Sequence, residues 1–81
     1  NPTHFEFSIV PNPAKDLITI EVGTAGLKTI KVFDLQGKVL LLKSFQGFTE
    51  LLDCSQLANG SYIVELSNND GKKIKKLLVQ R

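Results

Sequence analysis

The sequence predicts an all-β fold of sandwich or barrel type, and three observations carry that expectation. Apolar residues recur with a period of two: Ile18, Ile20 and Val22 alternate with Thr19 and Glu21, and Ile30 and Val32 with Thr29 and Lys31. Tyr62, Val64 and Leu66 alternate with Ile63 and Glu65 in the same way, so each run turns one apolar face to a core. The runs are rich in Val, Ile, Thr, Phe and Tyr, which suit a pleated, half-buried surface. Finally, they begin 10 to 13 residues apart with turn residues between them, the spacing of sandwiches and barrels.

Seven strands are expected, over residues 5–10, 16–22, 28–34, 38–45, 48–53, 61–67 and 73–80. Between the first two lies Pro11-Asn12-Pro13. Neither proline has an N–H to give to a sheet, and each pushes the residue before it into an extended conformation. Asn12 can bond backbone and stabilise a turn, so the triplet reads as a rigid corner. A polyproline ligand would need a longer run. Gly23 to Gly26 separates the second and third strands. Gln36-Gly37 and Gln46-Gly47 read as tight hairpin turns, with glycine supplying positive φ.

The fourth strand contains Val39-Leu40-Leu41-Leu42, apolar on both faces, which suits either a central strand or one covered by another domain. Ser55 to Gly60 is irregular and has room for a single helical turn. Asn68-Asn69-Asp70-Gly71 reads as the last hairpin. Beyond it, the alternation breaks in Lys75-Lys76-Leu77-Leu78-Val79, which suggests a bulge and leaves open whether Leu77 or Leu78 points inward.

The chain has 81 residues, enough for one domain spanning 1–81, with residues 1–4 expected to be a linker remnant. A domain this small buries only about 60% of the surface its unfolded chain exposes. There is no methionine, which leads us to expect a piece of a longer protein, with any export leader lying upstream. The longest apolar run, Val39 to Leu42, is far short of the ~20 residues of a membrane-spanning helix, so stable membrane insertion is not expected.

The inventory argues against catalysis. His4 is the one histidine and Cys54 the one cysteine, so a Ser-His or Cys-His pair would have to use His4, near a terminus that tends to fray. Cys54 lies near Leu52 and Leu57, where a thiol behaves as a small hydrophobe and a thiolate is disfavoured. No nucleophile elbow, phosphate loop, dinucleotide fingerprint or zinc-ligand spacing occurs, so no cofactor or metal is expected. The NNDG stretch offers a single carboxylate, Asp70, too few for a calcium loop. Asp34, Asp53 and Asp70 stand near strand ends, where aspartates stabilise turns.

Charge is uneven. Lys72, Lys73, Lys75, Lys76 and Arg81 crowd the last ten residues without an acid, while residues 1–71 carry a net −3. In a strand, Lys73 and Lys75 share one face and Lys72 and Lys76 the other. Lysines on an edge strand deter sheet-to-sheet aggregation, serve recognition, or meet a polyanion. No aromatic interleaves them, which weighs against nucleic acid.

Taken in order, FSIVPNPAKDLITI, IKVFDLQGKVL, LLDCSQLANGSYIVEL and KKIKKLLVQR resemble the type A C-terminal sorting domain of type IX secretion (Por secretion system) cargo, from about Phe5 to Arg81. The family-like features are Pro11-Asn12-Pro13, then Asp34 with Gly37, then Asp53 with Leu57, Gly60 and Tyr62, and a basic last strand. Cys54 departs from the pattern, since an aliphatic residue is usual there.

The resemblance implies a seven-stranded immunoglobulin-like β-sandwich that catalyses nothing. It implies a signal for cargo upstream in the same chain, read in the periplasm by the outer-membrane type IX translocon. A sortase-like cysteine peptidase at the cell surface then removes the domain, commonly attaching the cargo to lipopolysaccharide. The residues expected to be read are Lys72, Lys73, Lys75, Lys76, Leu77, Leu78, Val79 and Arg81; the motif residues are expected to be scaffold. Gly60 lets the chain re-enter the sheet, and Tyr62 buries its ring and anchors its hydroxyl on nearby backbone. The alternative is an accessory sandwich that binds carbohydrate or protein, or stabilises a parent enzyme. The absence of tryptophan weighs against a sugar platform.

Overall fold

A computed structural model describes residues 6–24, 26–69 and 71–81. His4 and Asp70 therefore lie outside the described residues, as does the expected start of the first strand at Phe5. The strands are β1 (Phe7–Val10), β2 (Leu17–Val22), β3 (Leu27–Phe33), β4 (Val39–Gln46), β5 (Thr49–Asp53), β6 (Gly60–Asn68) and β7 (Gly71–Val79). They form a three-stranded sheet in the order β1-β2-β5 and a four-stranded sheet in the order β4-β3-β6-β7, every strand pair antiparallel. Among the described residues the fold is all-β with seven strands, as expected.

The period-two pattern sorts residues between the two sheets' inner and outer faces. Ile18, Ile20, Val22 and Leu52 of the first sheet bury against Ile30, Val32, Val64, Leu66, Leu77 and Val79 of the second, in one hydrophobic cluster. Side chains such as Ile20, Ile30 and Leu66, with 0% exposure, each contribute about 2 kcal/mol by leaving water. Cys54 joins this cluster as a free, fully buried thiol, and burial pushes its pKa up.

Four local expectations need correction. Gln46-Gly47 does not close a hairpin. β4 pairs with β3 and β5 with β2, so the turn carries the chain from one sheet to the other. β4 is also an edge strand rather than a central one. Its two-sided apolar character comes from a register shift: Val32 faces Leu41 and Phe33 faces Val39, leaving Leu40 as an extra residue. The resulting kink lets both Leu40 and Leu41 pack against the core. The bulge therefore lies in the β3–β4 pairing and not in β7, whose register with β6 runs unbroken from Val79 opposite Gly60 to Gly71 opposite Asn68. Leu77 points inward and Leu78 outward, half buried. Between β5 and β6 there is no helical turn; the Leu57 N–H donates to the Cys54 carbonyl at 3.0 Å, closing a β-turn.

One buried residue is a lysine. Lys28 shares the inward side of β3 with Ile30 and Val32 and is 1% exposed. Its ammonium donates to the Gly26 and Gly47 carbonyls at 2.7 Å each and lies 5.5 Å from the centre of the Phe45 ring. It thus ties together the two turns that cross between sheets, and burial pushes its pKa down.

Candidate functional site

β7 is the outer edge of the four-stranded sheet, and its edge is divided in two. Along its last part, the Asn12 amide takes the place of a neighbouring strand: Nδ2 donates to the Lys76 carbonyl and Oδ1 accepts the Leu78 N–H, both at 3.1 Å. Backbone then takes over, since the Ala14 N–H donates to the Leu78 carbonyl at 2.7 Å and the Gln80 N–H to the Ala14 carbonyl at 2.8 Å. Asn12 stands between Pro11 and Pro13, each preceded by a cis peptide bond. The corner expected from the sequence is therefore also a latch on β7. By the alternation of an antiparallel strand, Lys72 and Ile74 direct their backbone groups to the same edge, where the latch does not reach.

The four lysines of β7 have different surroundings. Lys73 and Lys75 extend the inward-facing row of Leu77 and Val79, but at an end where the opposite sheet is β1. There Lys73 Nζ lies 3.1 Å from Glu6 Oε2, and Lys75 Nζ lies 5.8 Å from the centre of the Phe7 ring. This is why the apolar alternation of β7 stops at Leu77. Lys72 and Lys76 project from the outer face, with Lys72 Nζ 3.6 Å from Glu65 Oε2.

Arg81 is spread over the turn after β5. Its Nε donates to Asp16 Oδ1 at 2.8 Å, and its two terminal nitrogens to the Leu57 and Cys54 carbonyls at 2.6 and 2.7 Å. Its backbone N–H donates to Asn59 Oδ1 at 3.1 Å. A planar guanidinium can meet three acceptors at once. Sequence reasoning grouped Arg81 with the lysines by charge alone; nothing in the local pattern signals the carbonyls it meets.

The other motif residues organise turns. Asp34 Oδ1 accepts the N–H groups of Gln36 and Lys38, both at 2.9 Å, and the Gly37 N–H closes onto the Asp34 carbonyl at 3.1 Å. Gly37 completes the turn with φ of 91°, a conformation costly for a residue with a Cβ. Asp53 Oδ1 accepts the Ser55 N–H at 2.9 Å. The Ser55 hydroxyl and N–H together hold the Asp53 carboxyl below its usual range, with Arg81 adding to the effect. Leu57 is buried in the core. Gly60 has φ of 153° where β6 begins. The Tyr62 ring is buried, and its hydroxyl donates to the Ala58 carbonyl at 2.5 Å.

Phe33, Leu35, Ile63 and Ile74, with Asp34 and Gly37, line a shallow groove of about 320 Å³ beside the β3–β4 turn. Sequence reasoning missed it because its members come from β3, a loop, β6 and β7. Among the described residues, no group of three His, Cys, Asp or Glu side chains could hold a metal ion. Nor is any helix there long and apolar enough to cross a membrane.

A family model described as a secretion system C-terminal sorting domain matches residues 8–80. An endo-acting ulvan lyase from Formosa agariphila is 32% identical over 74 residues, which are 89% of this chain and 14% of that protein. The chain thus spans about one seventh of the relative's length. The match takes in the Asn12 latch, the Asp34 and Asp53 turns, the Tyr62 anchor and all of β7. The chain belongs to the family of C-terminal sorting domains of type IX secretion, signals for export to the cell surface or the extracellular space.

Proposed function

We propose that this domain is a non-catalytic address on a larger cargo protein, read by the outer-membrane type IX translocon in the periplasm and then cut off by a sortase-like cysteine peptidase. The observation that carries this reading is the family match over residues 8–80. Relatedness to a small part of a much longer lyase agrees with a domain that accompanies a separate cargo. The strand order and the Tyr62–Ala58 anchor fit an immunoglobulin-like sandwich, in which a tyrosine commonly bonds backbone a few residues upstream. Cys54, buried with a raised pKa, is poorly suited to be a nucleophile.

Part of the signal is β7 itself. Its unlatched edge, around Lys72 and Ile74, can accept a strand through backbone hydrogen bonds, while lysines select an acidic partner. Reversal of Lys76 is the better probe, because reversal of Lys72 would set an acid against Glu65, and reversal of Lys73 or Lys75 would set one against Glu6 or the Phe7 ring. Removal is tested by fusing a reporter ahead of residues 1–81 in a type IX-competent cell. The surface-delivered reporter should be lighter than the fusion by about the domain's 8.9 kDa. If it retains the domain, the removal step is wrong.

A further inference from the structure

The outer face of the four-stranded sheet joins two features. One is apolar exposure: Leu35 is 70%, Leu42 65% and Ile74 59% exposed, beside the half-buried Phe33 and Ile63 of the groove. The register sets Phe33 opposite Ile63 and Val39, and Ile63 opposite Lys76; in the next row Ile74 faces Glu65, and Lys31 and Glu65 stand between it and Leu42. The apolar cluster on this face is the groove itself, formed by Phe33, Leu35, Ile63 and Ile74, and such a cluster on so small a domain marks a contact surface more often than a random exposure.

The other feature is the sign of the charge around the patch. Lys31, Lys72 and Lys76 occupy outer-face positions in β3 and β7. Two acids share the face: Glu65, opposite Ile74 and with Oε2 3.6 Å from Lys72 Nζ, and Asp34 at the groove, one of whose oxygens accepts the N–H groups of Gln36 and Lys38. Glu21 and Asp53 belong to the opposite sheet. An occupant of the groove therefore meets an apolar floor whose surroundings carry three lysines, Lys31, Lys72 and Lys76, against two acids, Asp34 and Glu65, and are cationic on balance.

We infer that the Phe33–Leu35–Ile63–Ile74 groove is a docking site for an acidic, extended segment of a partner protein, with an apolar side chain seated in the groove and its flanking carboxylates at Lys72 and Lys76. The groove supplies the anchor and the lysines supply orientation and steering, the division of labour common at protein interfaces. This rests on the sorting reading for its biological setting and names the face by which the domain is held.

The test uses the isotopically labelled domain and two capped decapeptides, one alternating Glu with Val and Phe, the other with every Glu replaced by Lys. The acidic peptide should shift the amide resonances of Phe33, Leu35, Ile63 and Ile74. The Ile74→Glu variant should weaken binding at least about tenfold, while a thermal melt close to that of the parent shows that it folds. Lys76→Glu should weaken binding while leaving the Lys72–Glu65 pair intact. The inference is overturned if the two peptides bind alike, if shifts fall on β1, β2 and β5, or if the domain alone shows concentration-dependent shifts at the groove, which would assign the face to a second copy. In cells, a folded Ile74→Glu fusion exported as well as the parent fusion would overturn the docking face and leave the sorting reading standing. Failure of the parent fusion itself would strike the sorting reading.

Discussion

The Asn12 side chain accepts the Leu78 N–H at 3.1 Å across 66 residues of chain, so a loop amide stands where a neighbouring strand would otherwise pair. Its other end donates to the Lys76 carbonyl, a geometry that needs both a donor and an acceptor on one short side chain. Asn12→Asp keeps the acceptor and loses the donor, setting an oxygen against the Lys76 carbonyl. We expect Asn12→Asp to lower stability by about 1 kcal/mol and to speed hydrogen exchange at Leu78 more than at the Tyr62 and Val64 amides of β6. Uniform acceleration at all these amides would mean that Asn12 serves global stability and is no specific latch.

Gly60 and Tyr62 shape the entry to β6. At Gly60, a built Cβ would meet nothing within 4 Å, yet φ is 153°, so any penalty for a side chain is conformational. Gly60→Val is expected to cost about 1–3 kcal/mol in denaturant unfolding, and Gly60→Ala most of that. Tyr62→Phe removes only the bond to the Ala58 carbonyl and should cost about 1 kcal/mol. Gly60 variants as stable as the parent would show that the backbone relaxes there freely.

These residues show how much the sequence makes legible. The alternation along β2, β3 and β6 revealed the strands and most of the core, because one face of each is covered by the other sheet. The Tyr62 anchor was legible from a tyrosine close behind a turn. Lys28 was not: it has the inward parity of Ile30 and Val32, but a charged residue at a strand's start reads as solvated, and only the Gly26 and Gly47 carbonyls make its burial tolerable. Leu40 misled for a related reason, since one bulge lets two consecutive leucines face the core. The groove was illegible because cross-strand register, rather than sequence spacing, assembles it.

Arg81 should be hard to replace. Its guanidinium meets Asp16 and the Leu57 and Cys54 carbonyls, and an ammonium cannot reach all three acceptors in a plane. Arg81→Ala is expected to cost about 2 kcal/mol and Arg81→Lys to recover less than half of it, read by thermal or urea unfolding. Full recovery by lysine would reduce Arg81 to a simple point charge.

Acid should weaken the turn after β5. Ser55 holds the Asp53 pKa below its ordinary 3.8 in the folded state, so between the two values the unfolded chain binds more protons. This contribution is complete above the unfolded pKa and is lost as pH falls through the folded one. Asp53→Asn should flatten the stability profile below about pH 4, measured by urea unfolding at a series of pH values. An unchanged acid limb would remove Asp53 from the account.

Export dependent on the type IX system is the most direct measure of the central claim. A periplasm-directed reporter carrying residues 1–81 at its end is expressed in type IX-competent cells and in cells lacking the translocon, and the surface and extracellular fractions are compared. The reporter should leave competent cells and stay in the periplasm of deficient ones, with the unfused reporter retained in both. Equal release from both cell types, or retention of the fused reporter in competent cells, would contradict the assignment of this domain as a sorting signal.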